Sequence, residues 1–390
     1  MRKTITIGDL GNVITGKTPP KSNKNFYGDY AVFIKPTDIS ENHKYTYETE
    51  EMYSQLAAEQ YKSSLIPKGA ICVPCIGTIG TKMTMTHCAC YTNQSINSIV
   101  CNENYDNEYV YYLIKNFLPG LKAYNLGTAS GREYVSKSNF ELIEIEAEQD
   151  KNTQHRIATI LSRYDSLIEN YQKQIKLLEE AAQRLYKEWF IDLHFPGHEN
   201  TNIIDGVPEG WEKKKVGELI AKVPRSKQIP TKDYKNKGAI PIIDQSRDYI
   251  AGYTDDMESK VESNEPYIVF GDHTRILKYV PFPFAKGADG TQLIMSNNLD
   301  LMPQCLLFTS LVNVDLSNYS YARHFKYLKG EEILVPTASI ATIFRLHVAK
   351  WYSKIQQNRE QLRLLTEARD RLLPKLMSGE LTLEARAEEE

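Results

Sequence analysis

The segment Gln174–Phe190, QIKLLEEAAQRLYKEWF, returns near the end of the chain as Gln361–Met377, QLRLLTEARDRLLPKLM. Ile175 answers to Leu362, Leu177 and Leu178 to Leu364 and Leu365, and Glu180-Ala181 to Glu367-Ala368, all at one offset of 362 − 175 = 187 residues. A stripe in alternating steps of 4 and 3 passes through the first copy: Ile157, Leu161, Tyr164, Ile168, Tyr171, Ile175, Leu178, Ala182, Leu185 and Trp189. With Glu, Lys, Gln and Arg on its flanks, this is a coiled-coil seam rather than a general amphipathic face. Adding 187 gives Phe344, Val348, Trp351, Ile355, Asn358, Leu362, Leu365, Arg369, Leu372 and Leu376, and eight of these ten are apolar. Asn358 is the residue type that fixes alignment in a seam at some cost in stability, and Arg369 can lay its stem on the seam with its charge at the edge. Pro374 is expected to end or kink the last turn. Ile157–Trp189 as helix measures about 50 Å. Two such helices, separated in the chain by a whole domain, pack most simply on each other as an antiparallel pair. The alternative, each helix packing only on its own domain, explains the strict heptad less well.

The segments before the two helices also echo one another. ITIGDLGNVITGKTPP is answered by WEKKKVGELIAKVPRSKQIP, IPKGAICVPCIGTIGTK by NEPYIVFGDHTRILKY, NQSINSIV by GTQLIMS, YVYYLIKNF by LLFTSLVNV, and SGREYVSKSNFELIEI by ARHFKYLKGEEILVP. The order is the same and the spacing drifts, as expected where loops vary more than the frame. A chain of 390 residues is long for one core. We therefore expect an α/β domain over 1–148, a helix over 149–193, a second α/β domain over 194–336, a second helix over 337–378 and a tail over 379–390. The linker HFPGHENTNIIDGVPEGW has the composition of an exposed connection.

Formal net charge is −3, from 47 Lys and Arg against 50 Asp and Glu, so no excess of positive charge draws the whole surface towards phosphate. MRKTITIGDL passes directly into a strand-like pattern, and no stretch approaches the roughly 20 apolar residues of a membrane span. A cytoplasmic protein with free thiols is the expectation. Cys72-x-x-Cys75 followed by Cys88-x-Cys90 resembles a zinc-ligand spacing. Small apolar residues in neighbouring strands account for it better, because Cys88-x-Cys90 is tighter than the usual knuckle and, outside the N-terminal third, only Cys305 remains for a second site.

The architecture and its motifs resemble the specificity subunit of type I restriction-modification systems. The resemblance is carried by IGDLGNVITGKTPP, FIKPTDIS, IPKGAICVPCIGTIGTK, TNQSINSIV, the spacer AEQDKNTQHRIATILSRYDSLIENYQKQIKLLEEAAQRLYKEWF, the restart PEGWEKKKVGEL and the closing LLTEARDRLLPKLMSGEL. It implies two target recognition domains in pseudo-twofold arrangement, each reading half of a bipartite site on double-stranded DNA. Between them, two long antiparallel coiled-coil helices set the gap and dock two modification subunits, which are adenine-N6 methyltransferases. Restriction subunits join that complex. The resemblance implies no chemistry in this chain: S-adenosylmethionine belongs to the methyltransferase, and ATP and Mg to the restriction subunit.

Base edges are read by Arg, Lys, Asn, Gln, Ser, Thr and His, whereas phosphates take Lys, Arg and backbone N–H groups. On the matching loops the first domain offers Lys17, Thr18, Lys21, Lys35, Thr37, Thr78, Thr81, Lys82, Ser130 and Arg132. The second offers Arg225, Lys227, Gln245, Arg247, His273, Thr274, Arg275, Lys286, Gln292, Arg323 and His324. Arg132 and Arg275 are the favoured base readers, because each follows small residues or a turn and Arg grips guanine with two parallel hydrogen bonds. The tyrosine run Tyr109–Tyr112 fits a helix in the core better than a base-stacking platform.

Two other classes compete. A stand-alone metal-dependent nuclease would need an Asp ahead of a Glu-x-Lys strand, and Asp244 with Glu258-Ser259-Lys260 meets the spacing loosely in a hydrophilic segment. The only Pro-Pro, Pro19-Pro20, lacks the flanks of a methyltransferase loop. A purely structural dimer formed through the helices is the second, although one chain already carries both halves.

Overall fold

The computed structural model describes residues 2–382 except 42, 78, 128–132 and 320–322. The chain divides into two compact units: residues 1–170 with 362–390, and residues 171–361. Each unit thus takes one domain and a stretch of both long helices.

In the first unit the strand Arg2–Thr6 pairs antiparallel with Glu144–Glu148, the strand directly ahead of the long central helix. Thr6 caps the short turn Ile7–Leu10 and exchanges hydrogen bonds with Asp9, so the Gly-Asp-Leu signature is a capping box. A four-stranded antiparallel sheet follows in the order Thr84–Met85, Ile71–Pro74, Ile96–Cys101, Gly11–Thr15. Beside it the end of Tyr27–Ile34 pairs in parallel with Tyr91–Thr92. The helix Asn107–Phe117 is started by Asp106, whose carboxylate accepts from the Tyr109 N–H at 3.0 Å. It carries Tyr109, Tyr111 and Tyr112 into the core, so the tyrosine run is packing, as its pattern indicated.

The second unit repeats this frame. Glu212–Lys215 pairs antiparallel with Glu332–Val335, again the strand before a long helix. The sheet runs Leu277–Val280, Tyr267–Gly271, Thr291–Ile294, and its fourth place is held by a bridge from Ile220 to Ser296. Ile240–Ile243 pairs in parallel with Phe284–Lys286, and Gln304–Val312 takes the place of the tyrosine helix. The frame is therefore common, and the insertions differ.

The central helix is α-helical over Lys151–Tyr186 and closes with a π-helical turn over Lys187–Ile191. The C-terminal helix spans Ala338–Ser378. Both their starts and their ends differ by 187 residues, since 338 − 151 and 378 − 191 are equal. Pro374 lies inside the second helix, so the expected stop does not occur there; the chain remains helical to Ser378. One missing N–H bond is tolerable where Leu373, Leu376 and Met377 around it are buried in the first unit's core.

Within each unit the helices pair antiparallel. In the first, Arg369 Nη1 donates to Asp165 Oδ1 at 2.6 Å. In the second, Asn358 Nδ2 donates to Gln174 Oε1 at 3.1 Å and Arg359 Nη2 to Glu179 Oε1 at 2.8 Å. Asn358 thus has the alignment role its seam position implied. Arg369 departs from expectation: its side chain is 9% exposed and faces an Asp165 that is 5% exposed, so its charge is inside and not at an edge. Ile157, Leu161, Ile168, Phe344, Val348 and Ile355 are buried, whereas Tyr164, Ile175, Leu178, Leu185, Trp351, Leu362, Leu365 and Leu372 are half-buried. The cause is geometric. Two helices cover only one side of a seam, and full burial comes where a domain covers the rest, which is also why Ala158 and Asp165 off the heptad are buried.

Among the described residues no group of three or more His, Cys, Asp or Glu side chains is arranged to hold a metal ion. Cys72 accepts a hydrogen bond from Ser98 at 3.3 Å, and the Cys75 thiol donates to the Val73 carbonyl at 3.4 Å. Burial pushes both thiols up to about 12, which opposes the thiolate that zinc requires.

Breaking a buried ion pair from one side strands the other charge. Arg369→Met is therefore expected to lower stability by about 3–5 kcal/mol in urea unfolding. Asp165→Asn combined with Arg369→Met leaves an acceptor for the Tyr112 hydroxyl, and should recover most of that loss. A second expectation concerns the thiols. Iodoacetamide should modify the half-buried Cys88 well before Cys72, Cys75, Cys90 and Cys305, as read by peptide mass spectrometry of the native protein.

Candidate nucleic-acid interface

In the first unit the segment after strand Gly11–Thr15 is pinned from three sides. The Lys17 N–H donates to the Thr92 carbonyl at 2.9 Å, Tyr53 OH donates to the Lys17 carbonyl at 2.6 Å, and Tyr27 OH to the Pro19 carbonyl at 2.8 Å. A Cβ on Gly16 would lie 2.1 Å from the Thr92 carbonyl oxygen, so only glycine permits this approach. The result is a fixed basic loop with Lys17, Thr18 and Lys21 exposed and the Thr18 hydroxyl bonded to Gln94. Thr37 is exposed, while Thr81 and Lys82 are half-buried. Lys35 does not stand as a free cation: its ammonium lies 2.6 Å from Glu50 and 3.1 Å from Glu51, which commits its charge. Thr78, Ser130 and the favoured Arg132 lie outside the described residues.

In the second unit the turn between strands Tyr267–Gly271 and Leu277–Val280 is closed by Arg275, whose φ of 62° is left-handed, with its N–H donating to Gly271 at 2.8 Å. One guanidinium nitrogen of Arg275 donates to the Leu316 carbonyl at 3.0 Å, so this favoured reader is partly engaged within its own domain. Gln245 organises the turn. Its amide donates to the Asp289 carbonyl at 2.9 Å, its side-chain oxygen accepts from the His273 N–H at 3.2 Å, and its main-chain oxygen accepts from the Thr274 hydroxyl at 2.7 Å. Gln245, His273 and Thr274 are thereby brought together, and Arg247 and Arg323 are exposed. His324 is not a reader. It is 5% exposed, its ring nitrogens lie 2.9 Å from the Asp272 carbonyl and 2.8 Å from the Tyr319 carbonyl, and it braces the turn from beneath. Lys227 is held by Asp256 at 2.7 Å and Glu258 at 3.4 Å.

A recess of about 480 Å³ opens in the same unit, lined by Arg225, Ser226, Gln228, Lys286 and Gln292 with Val223, Pro224 and Leu293. Three sequence-predicted residues, Arg225, Lys286 and Gln292, therefore share one cavity. Lys286 and Gln292 sit on strands rather than on loops. Burial lowers the Lys286 pKa from the usual lysine range, partly opposed by Asp289. Ser226 and Gln228 were not singled out in the sequence although both adjoin Lys227, and Gln94 was not singled out because only the fold brings it to Thr18.

The nuclease constellation does not assemble from its three members. Asp244 accepts from Tyr234 OH at 3.3 Å and from the Ser246 N–H at 2.9 Å, Glu258 is exposed beside Lys227, and Lys260 pairs with Glu262 at 2.6 Å.

Comparison with known proteins agrees with this frame. Residues 2–180 match the family described as type I restriction modification DNA specificity domain. The type I restriction enzyme MjaIX specificity subunit of Methanocaldococcus jannaschii is 30% identical, over 97% of this chain and 93% of its own length. The HindI specificity subunit of Haemophilus influenzae is 39% identical over 36% of this chain and 30% of its own. Among solved structures, the type I restriction-modification S subunit from M. genitalium shares the fold with a TM-score of 0.61, at 16% identity, over 96% of both chains. The chain belongs to the specificity subunits of type I restriction-modification systems, the non-catalytic members of those assemblies.

Proposed function

We propose that each domain reads one half of an asymmetric bipartite site on double-stranded DNA, and that the helix pair sets the gap between the half-sites. The observation that carries this reading is the antiparallel helix pairing found within each unit, with polar partners specified on both helices. An unread gap of fixed length needs readers on a stiff support, because a flexible tether would let it vary. A helical stretch of about 50 Å suits half-sites separated by about one turn of duplex, roughly 34 Å. The unlike turns of the two domains favour unlike half-sites. The same helices dock two adenine-N6 methyltransferase subunits, which bring S-adenosylmethionine, and restriction subunits add ATP and Mg to the full assembly in the cytoplasm.

The charge balance extends the proposal. With a net charge of −3, and with Lys35 and Lys227 neutralised locally, this chain brings no overall excess of positive charge to phosphate. Methyltransferase subunits then contribute the rest of the electrostatic attraction.

Methylome sequencing of cells expressing this chain with its modification subunit should reveal one bipartite N6-methyladenine motif of constant gap; no such motif would sink the proposal. In gel shifts the isolated chain should bind specific DNA weakly and the complex tightly, so tight sequence-specific binding by the chain alone would contradict the shared-charge argument. Leu178→Glu with Leu365→Glu should impair recovery of the modification subunit in pull-downs and blur the gap, while circular dichroism still shows folded domains.

A further inference from the structure

Parallel pairing gives the two domains a common reference point. Ile34 faces Thr92 in the first, and Ile243 faces Lys286 in the second. The preceding basic loop reaches the same place in both, since the Lys17 N–H donates to the Thr92 carbonyl at 2.9 Å and the Ile229 N–H to the Lys286 carbonyl at 3.0 Å. Lys286 therefore occupies the position that Thr92 holds in the first domain. Around Thr92 the backbones approach closely over Gly16, whereas around Lys286 a recess remains.

What the recess offers is donors. Lys286 and Arg225 can only donate, while Ser226, Gln228 and Gln292 can donate or accept. The Ser226 hydroxyl oxygen is buried without a hydrogen-bond partner, and among the described residues no carboxylate lines the cavity. Lys286 and Gln292 rise from strands that fix their backbones, and Lys286 is half-shielded from water. A phosphate contact needs only a cation or a backbone N–H within reach of one anionic group. Several donors converging on one recess suit a partner with more than one acceptor, and guanine presents two adjacent acceptors, O6 and N7, in the major groove.

Resting on the function proposed above, we infer that the Lys286–Gln292 recess is a guanine-reading pocket that sets one position of the half-site recognised by the second domain. Lys286 donates to the acceptor edge, Gln292 and Ser226 complete the polar lining, and Arg225 at the rim holds the adjoining backbone. Thr92 at the matching place leaves the first domain without this pocket, so the two half-sites differ there.

The test is methylome sequencing of complexes containing Lys286→Thr, Lys286→Met, Gln292→Ala or Arg225→Ala, with thermal melting confirming the fold. Lys286→Thr and Lys286→Met are expected to lose roughly tenfold or more discrimination at a single guanine of one half-site, with the other half-site and the gap unchanged. Gln292→Ala should relax the same position, and Arg225→Ala should weaken methylation at all sites alike. An unchanged motif in both Lys286 variants overturns the pocket, as does a uniform decline with a salt slope smaller by about one, the signature of a phosphate contact. Absence of any bipartite motif for the unaltered complex would instead refute the functional reading itself.

Discussion

The seam between the two long helices is the constraint on which the rest depends, and its polar members matter most. An apolar heptad stripe alone would let one helix slide by a heptad on the other at little cost. Asn358 and Arg369 remove that freedom, because each needs a specific partner on the opposite helix: Gln174 at 3.1 Å and Asp165 at 2.6 Å. Slipping would bury an amide and an ion without their mates, at several kcal/mol for the ion. The amide oxygen of Asn358 is buried and unpaired even in register, which is a standing cost of that specificity. These contacts hold the two helices in one register and oppose every other.

The same helix position also ties each domain to its support, by different chemistry. Asp165 and Tyr352 are equivalent, since 352 − 165 equals the offset of 187. Asp165 accepts from the Tyr112 hydroxyl at 2.6 Å, and Tyr352 shares a 3.0 Å hydrogen bond with Thr309. Tyr112 and Thr309 stand at matching places on the helices Asn107–Phe117 and Gln304–Val312. The first end of the repeat thus joins domain, central helix and C-terminal helix through one buried ionic node. At the second end a neutral tyrosine is surrounded by Tyr279 and Phe308. The two units share one frame and differ at the position that fixes domain to helix.

Periodic features were legible in the sequence because period is what helices and strands impose. The 187-residue offset predicted both long helices, their shared register and the role of Asn358. The echoed motifs predicted a sheet built twice in the same order. Pro374 misled because local propensity does not count the tertiary packing that Leu373, Leu376 and Met377 provide. Arg369 misled because its partner, Asp165, lies off the heptad and 204 residues away, and no local pattern announces it.

Site residues were less legible, for a physical reason. A loop cation in a sequence has no stated counter-charge, and the fold decides whether one is present. Lys35 meets Glu50 and Glu51, Lys227 meets Asp256 and Glu258, and both are thereby quenched. Among the described residues no carboxylate lines the recess of Lys286, which lies on a strand, and Lys286 looks no different from the others in the linear chain. His324, chosen for its chemistry, is fixed beneath the turn by two carbonyls, while Gln245, His273 and Thr274 above it are assembled by hydrogen bonds among themselves. A reading residue is therefore defined by a donor left over after the fold has satisfied its own needs. If the domains read DNA as proposed, that criterion points to the Lys286 recess in the second domain and to the exposed Lys17 and Lys21 of the pinned loop in the first.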